Sequence, residues 1–287
     1  MDNENKNKFA ALIAASTVAF VGCSENTTAT DGSSEPAQYE LVQASEAECG
    51  PLNPARGDAS PRACDLWGDR TEDRASGFLV KFDSDFSSPP HIHNITYRAV
   101  VIDGLLHNDD PTAAKMWLPE GSYWSQPLGQ DHVTAANGEV NMAYLEIDSG
   151  PYLVMPTSEA FESDEVPLNI DRSNLSMMGS KAAGWIETDS PFEIAPLWVD
   201  DNDREAAMLR LPAGQTASIT TDEPAFKGVS VTGAIAYASG SDPDEIALET
   251  GSYFGSSGDA RHVLTCNSDT DCIAYLRTES DPKIAAE

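Results

Sequence analysis

Basic residues are scarce in this chain. Seventeen Lys and Arg stand against 47 Asp and Glu, a formal charge of −30 over 287 residues. A field of that sign repels polyanions, which excludes nucleic acid and anionic lipid headgroups as partners and leaves the acidity as solvated surface. Long apolar runs are missing too: the stretch from Phe9 to Val21 is shorter than the roughly 20 residues a membrane-spanning helix needs. Cysteine is sparse, five in all, and no couple has the Cys-x2–4-Cys spacing of a structural zinc site. Helical periodicity is also hard to find. Asp203 to Ala207 and Pro156 to Ser163 are loose candidates without a sustained 3.6-residue pattern.

What is present reads as β structure. Short alternating runs rich in β-branched and aromatic residues are punctuated by Gly, Asn, Asp and Pro. The length suffices for two cores of ordinary domain size, and an internal repeat supplies the reason. Leu66-Trp-Gly-Asp69 recurs as Leu197-Trp-Val-Asp200, Gly77 to Phe82 as Ala206 to Leu211, Gly121-Ser-Tyr-Trp124 as Gly251-Ser-Tyr-Phe254, and Ala143-Tyr-Leu as Ala274-Tyr-Leu, at offsets of 129 to 131. A constant offset of that size indicates a duplicated domain, since solenoid periods are far shorter. Strands of this kind avoid exposed edges by forming closed or double-sheet barrels.

Within the first copy, histidines converge on paper. A strand over Ser88 to Ile102 would send His91, His93, Ile95 and Tyr97 to one face. After Gly- and Pro-marked turns, His132 folds back beside that pair. Three neutral imidazoles suit Fe, Zn, Mn, Ni or Cu better than Mg or Ca, which want oxygen. Tyr97 is the candidate catalytic residue, as a phenolate ligand or as a donor to a group bound there; a core aromatic with a satisfied hydroxyl is the equal alternative. His107, among Asn108-Asp-Asp, reads as a solvent-facing turn residue. Met116, Trp117, Tyr123 and Trp124 are candidates either for the mouth of the pocket or for the core.

These residues resemble the two cupin signatures, Gly-x5-His-x-His-x3,4-Glu-x6-Gly and Gly-x5-Pro-x-Gly-x2-His-x3-Asn. The second is met at Gly121, Pro127, Gly129 and His132, and much of the first at His91, His93 and Gly104. Asp85 stands where the opening Gly belongs, Tyr97 where the Glu ligand belongs, and Ala136 where the final Asn belongs. The likeness implies an all-β bicupin, two tandem jelly-roll barrels, with a three-histidine metal site at His91, His93 and His132. The overall likeness is to a two-cupin family of unknown function grouped with the (ChrR-like) cupins of bacterial anti-sigma factors. Carried across the repeat, His91, His93 and Tyr97 fall on Thr220, Asp222 and Phe226, and His132 on His262. The second barrel is therefore expected to be degenerate and without metal.

The chain divides on this reading into a signal peptide (1–22), a flexible tether (23–39), a metal-binding cupin barrel (40–160), a linker (161–180) and a degenerate cupin barrel (181–280). Phe20-Val-Gly-Cys23-Ser resembles a bacterial lipobox, with Phe20 in place of the usual Leu, which makes Cys23 a lipid anchor and the protein an envelope lipoprotein. The remaining four cysteines allow three connectivities. Short loops favour Cys49 with Cys64 and Cys266 with Cys272, bridges that suit an oxidising compartment. The implied activity is that of a three-histidine iron dioxygenase acting on a small carbonyl or phenolic compound. The alternative is a metal- or ligand-binding protein without turnover, and a homodimer formed by strand exchange is a further expectation.

Overall fold

Alternating apolar residues that are buried on both faces decide the architecture. The computed structural model describes residues 37–287 except Ser241 and Pro243, and within them the secondary structure is nearly all strand. The expected signal peptide, the Cys23 anchor and most of the tether lie outside the described residues. In chain order the strands are β1 (Gln38–Val42), β2 (Cys49–Pro51), β3 (Arg62–Trp67), β4 (Ser76–Phe82), β5 (His91–His93), β6 (Tyr97–Asp103), β7 (Leu105–Asp109), β8 (Leu118–Pro119), β9 (Tyr123–Gln126), β10 (Val133–Ala136), β11 (Asn141–Ile147), β12 (Val154–Pro156) and β13 (Leu168–Ile170). The second half continues with β14 (Glu193–Val199), β15 (Glu205–Leu211), β16 (Thr216–Thr232), β17 (Ile235–Ser239), β18 (Ile246–Ala247), β19 (Tyr253–Cys266), β20 (Cys272–Thr278) and β21 (Lys283–Ala286). Of the two loose helical candidates, Thr157–Glu159 forms a single 3-10 turn, and Asp203 to Ala207 is a turn running into β15.

The repeat is visible in the pairing. In the first half the strands run β3-β4-β11-β6-β9, and in the second β14-β15-β20-β16-β19. Equivalent strands therefore occupy equivalent places. Two pairings cross the boundaries read from sequence. Gln38 and Tyr39, assigned to the tether, are strand, and β1 pairs antiparallel with β19 of the second half. Leu168–Ile170, inside the expected linker, pairs with β9 of the first half. Both expected disulfides are formed: Cys49 and Cys64 face each other across β2 and β3, and Cys266–Cys272 spans the connection from β19 to β20.

Alternation sorts the side chains into three cores. Phe78, Val80, Tyr97, Val101, Trp124 and Leu145 point into the first half, while Leu209, Ile219, Phe226, Phe254, Leu264 and Leu276 point into the second. The residues between them, Leu79, Val100 and Tyr144 among others, meet Met208, Val229 and Tyr275 in a shared layer. At its centre sits Glu146, 1% exposed, which accepts the hydroxyls of Tyr144 (3.0 Å) and Tyr275 (2.7 Å). Trp67 Nε1 donates to Tyr144 and Trp198 Nε1 to Tyr275, so each half contributes the same Trp–Tyr couple. Arg277, at Glu146's position in the repeat, donates to Asp148 at 2.9 Å. One copy has thus become the acid and the other the base of a buried network.

Candidate metal centre

The strand expected over Ser88 to Ile102 is broken at Asn94–Thr96. The Asn94 side chain is the cause: Nδ2 donates to the Pro151 carbonyl (2.9 Å) and Oδ1 accepts from Leu153 N (2.9 Å), so it takes the place of backbone pairing. As a result β5 leaves the sheet of β6 and pairs with β12. Tyr97 opens β6, yet its ring still meets that of His93 edge-on, 5.1 Å between centroids. His132 follows a turn whose Gly129 has φ +74°, and a Cβ there would sit 2.6 Å from the Phe161 ring. The turn delivers His132 directly opposite His91, joined by two backbone hydrogen bonds of 3.1 and 3.0 Å.

Each imidazole is oriented by a backbone carbonyl. Nδ1–H of His91 donates to Pro89 O (2.9 Å), of His93 to Leu153 O (2.8 Å) and of His132 to Gln130 O (3.2 Å). A carbonyl only accepts, so each ring carries its proton on Nδ1 and keeps the Nε2 lone pair for another partner. Ring centroids lie 4.3 to 5.1 Å apart, and one nitrogen from each ring falls within 4.8 Å of the others. Among the described residues this is the one group of three or more such ligands. Burial holds His93 well below the usual imidazole range, with the other two rings adding to the effect. His132 is brought down to about 3 by burial and then by His91; His91 is lowered by burial and, less, by the Arg56 charge. The three rings are neutral donors.

Nε2 of His132 is buried without any hydrogen-bond partner. An orphaned acceptor among neutral imidazoles fits a transition-metal ion, which three rings can close upon at about 2.1 Å. Nε2 of His93 accepts the Tyr152 hydroxyl at 3.1 Å, with the two rings stacked 4.4 Å apart.

A cavity of about 300 Å³ opens beside His91 and His93, walled by Val80, Phe82, Phe86, Val154 and the Tyr97, Trp124 and Tyr152 rings. Of the four aromatic and Met candidates, only Trp124 lines it. Tyr123, one residue along β9, faces the shared layer between the halves, and Met116 and Trp117 lie on the loop before β8. His107 is not solvent-facing: it is 3% exposed on β7, which pairs with β10, and its Nδ1 accepts from Met116 N. The Tyr97 hydroxyl donates to Asn108 Oδ1 (2.9 Å), which also accepts from Thr134, while Asn108 Nδ2 donates to Gln126. Burial raises the Tyr97 phenol well above its ordinary range, so it is a neutral donor spent on an amide.

The family pattern of a domain of unknown function, DUF4437, matches residues 40–284. The chain belongs to the DUF4437 family. No curated protein matches it in sequence. Among solved structures it is similar to a proposed dioxygenase from Nostoc punctiforme PCC 73102 (TM-score 0.63, 16% identity, 85% of this chain and 83% of that one). It is similar also to the salicylate 1,2-dioxygenase of Pseudoaminobacter salicylatoxidans (0.56, 14%, 88% and 85%) and to vicilin from Corylus avellana, hazelnut (0.56, 10%, 85% and 87%). At these identities the likeness speaks for the fold. The strand-rich architecture and these neighbours agree with the cupin fold expected from the histidine signatures.

This DUF4437 chain departs from the cupin pattern where the carboxylate ligand belongs, and the structure adds what sequence reasoning missed. Tyr152 and Arg56 both line the cavity, the first 59 residues after His93 and the second 35 before His91. Tyr152 follows Gly150-Pro151, a turn signal that says nothing of its neighbours in space. In the second half, Phe226 lies against His262 with ring centroids 4.7 Å apart, and Asp222 is exposed and bonded to Ser280.

Proposed function

We propose that this protein is an extracytoplasmic bicupin whose first barrel binds a divalent transition metal, iron first, through His91, His93 and His132, and oxidises a small carbonyl or phenolic compound with dioxygen. One observation carries this reading: three imidazoles, each held on Nδ1 by a carbonyl, bring one nitrogen apiece within 4.8 Å of the others beside an apolar cavity. The repeated strand order supports two barrels, and the cysteine bridges suit export. The Cys23 anchor, and with it a place in the bacterial envelope, and the likeness to anti-sigma-factor cupins belong to the same proposal.

A metal held by the three histidines would supply Lewis-acid and, as iron, redox chemistry. The chain's own contribution is distinct. Phe82, Phe86, Val80 and Val154 exclude water from the cavity. Tyr152 holds a proton at its hydroxyl within reach of His93, and burial keeps it there by raising the phenol well above its ordinary range. Tyr97, our candidate catalytic residue, holds its proton against Asn108 at the cavity wall. Metal analysis of the purified protein tests the proposal: about one ion per chain in the wild type, lost in His91→Ala and His132→Ala. Oxygen consumption with diketones, hydroxyketones and catechols tests the chemistry. A second reading, a binder without turnover, is favoured by one feature: no carboxylate lines the cavity to serve as general base. Silence with every compound despite bound metal decides for the binder.

A further inference from the structure

Arginine in this protein is almost always committed. Of ten arginines, nine donate to a carboxylate or a backbone carbonyl, from Arg62 on Cys49 O to Arg277 on Asp148. Among the described residues, Arg56 is the arginine whose side chain forms neither a hydrogen bond nor an ion pair. It is half-buried and lines the cavity that His91 and His93 open into. No Asp or Glu shares that wall, in a chain that has 47 of them. The cavity therefore has a cationic point, an imidazole edge and otherwise mostly apolar walls.

Arg56 is also held in place. It sits in the 3-10 segment Pro54–Ala59, capped by Asn53 Oδ1 on Ala55 N (3.1 Å). Ser60 Oγ accepts from Asn53 N (2.8 Å), Leu52 N donates to Pro61 O (2.8 Å), and the Cys49–Cys64 bridge closes the base of the loop. Gly57 at φ +54° and ψ −130° permits the turn, a conformation other residues avoid. The tied loop fixes where the Arg56 stem starts, and its planar guanidinium suits bidentate recognition of a planar anion.

We infer that Arg56 anchors a carboxylate, so that the cavity takes a small monocarboxylate with an apolar body of about benzene size, its far end toward the histidines. This rests on the cavity being the substrate site of the proposed metal centre. One guanidinium balances one negative charge; a dianion would leave a second charge uncompensated among Phe82, Phe86 and Val154, at a penalty a monoanion avoids. The −30 field further opposes multivalent anions.

Calorimetry on the full-length protein with benzoate, its neutral isostere benzamide and the dianion phenylphosphonate provides the test. The wild type is expected to bind benzoate at least tenfold tighter than either of the others. Arg56→Gln is expected to reduce the benzoate-to-benzamide ratio to below about twofold with benzamide affinity unchanged, and Arg56→Lys to retain an intermediate preference. Equal affinities in the wild type, no binding of any probe, or a preference that survives in Arg56→Gln overturns the inference. If the metal rather than Arg56 carries the preference, His132→Ala removes it and Arg56→Gln does not, which also overturns it. Failure of the metal reading shows differently: the wild type retains no ion, while the benzoate preference and its dependence on Arg56 persist.

Discussion

His132 and His262 occupy the same place in the two copies and have opposite surroundings. In the second half, Tyr237 Oη is 3.0 Å from Nδ1 of His262 and Ser256 Oγ 2.9 Å from Nε2, so both ring nitrogens are bonded. Tyr237 and Ser256 stand, in strand register, where the first half has Asn108 and Gln126. Those two amides bond to each other at 2.9 Å and leave His132 alone. The histidine is common to both halves, and its neighbours decide whether it is a structural side chain or a ligand.

The largest expected difference is in metal content. His132→Ala and His91→Ala lower the ion per chain by at least about tenfold, whereas His262→Ala leaves it unchanged, as read by mass spectrometry of the purified protein. Retention in His132→Ala would break the comparison. Stability follows in the opposite sense. His262→Ala opens a hole and orphans two hydroxyls, for about 3 kcal/mol of lost unfolding free energy in urea, while His132→Ala in metal-free protein opens a similar hole but loses one hydrogen bond, to Gln130 O, for about 2 kcal/mol.

The pH dependence gives a second measure of His262's burial, one that metal-free His132 shares. Burial holds His262 down to about 3, far below its unfolded value near 6.5. The unfolded chain therefore takes up a proton that the folded chain refuses. Its contribution to stability is fully present above pH 6.5 and is lost as pH falls toward 3, at up to about 1.4 kcal/mol per pH unit. His262→Phe flattens that slope in acid-unfolding measurements. The smallest effect is expected at Tyr152. Its hydroxyl occupies Nε2 of His93, so Tyr152→Phe removes a hydrogen bond of about 1 kcal/mol that competes with coordination, and metal affinity rises about fivefold by competitive chelation.

Much of this was legible in the residues. Spacing marked the three histidines, the offset of 129 to 131 marked the paired sheets, and short loops marked both disulfides. Other features were hidden for physical reasons. Asn94 breaks its strand through bonds to residues nearly 60 positions away, which no local pattern announces. His107 has the polar neighbours of a turn and is buried on a paired strand, where the segment carrying Met116 and Trp117 folds against its ring. Arg56 and Tyr152 reach the cavity through the tertiary folding of distant segments, and sequence distance carries no trace of that.

The pairing of β1 with β19 has a consequence for assembly. Gln38–Val42 covers Tyr253–Ser257, and β17 covers the remainder of that flank from His262 onward. Deleting five residues at the start of the first copy would leave a bare hydrogen-bonding margin on the second, open to the same segment of a neighbouring molecule. Production of the second half alone thus leads toward association between exposed strand edges, because the segment that covers this edge is encoded ahead of the first half.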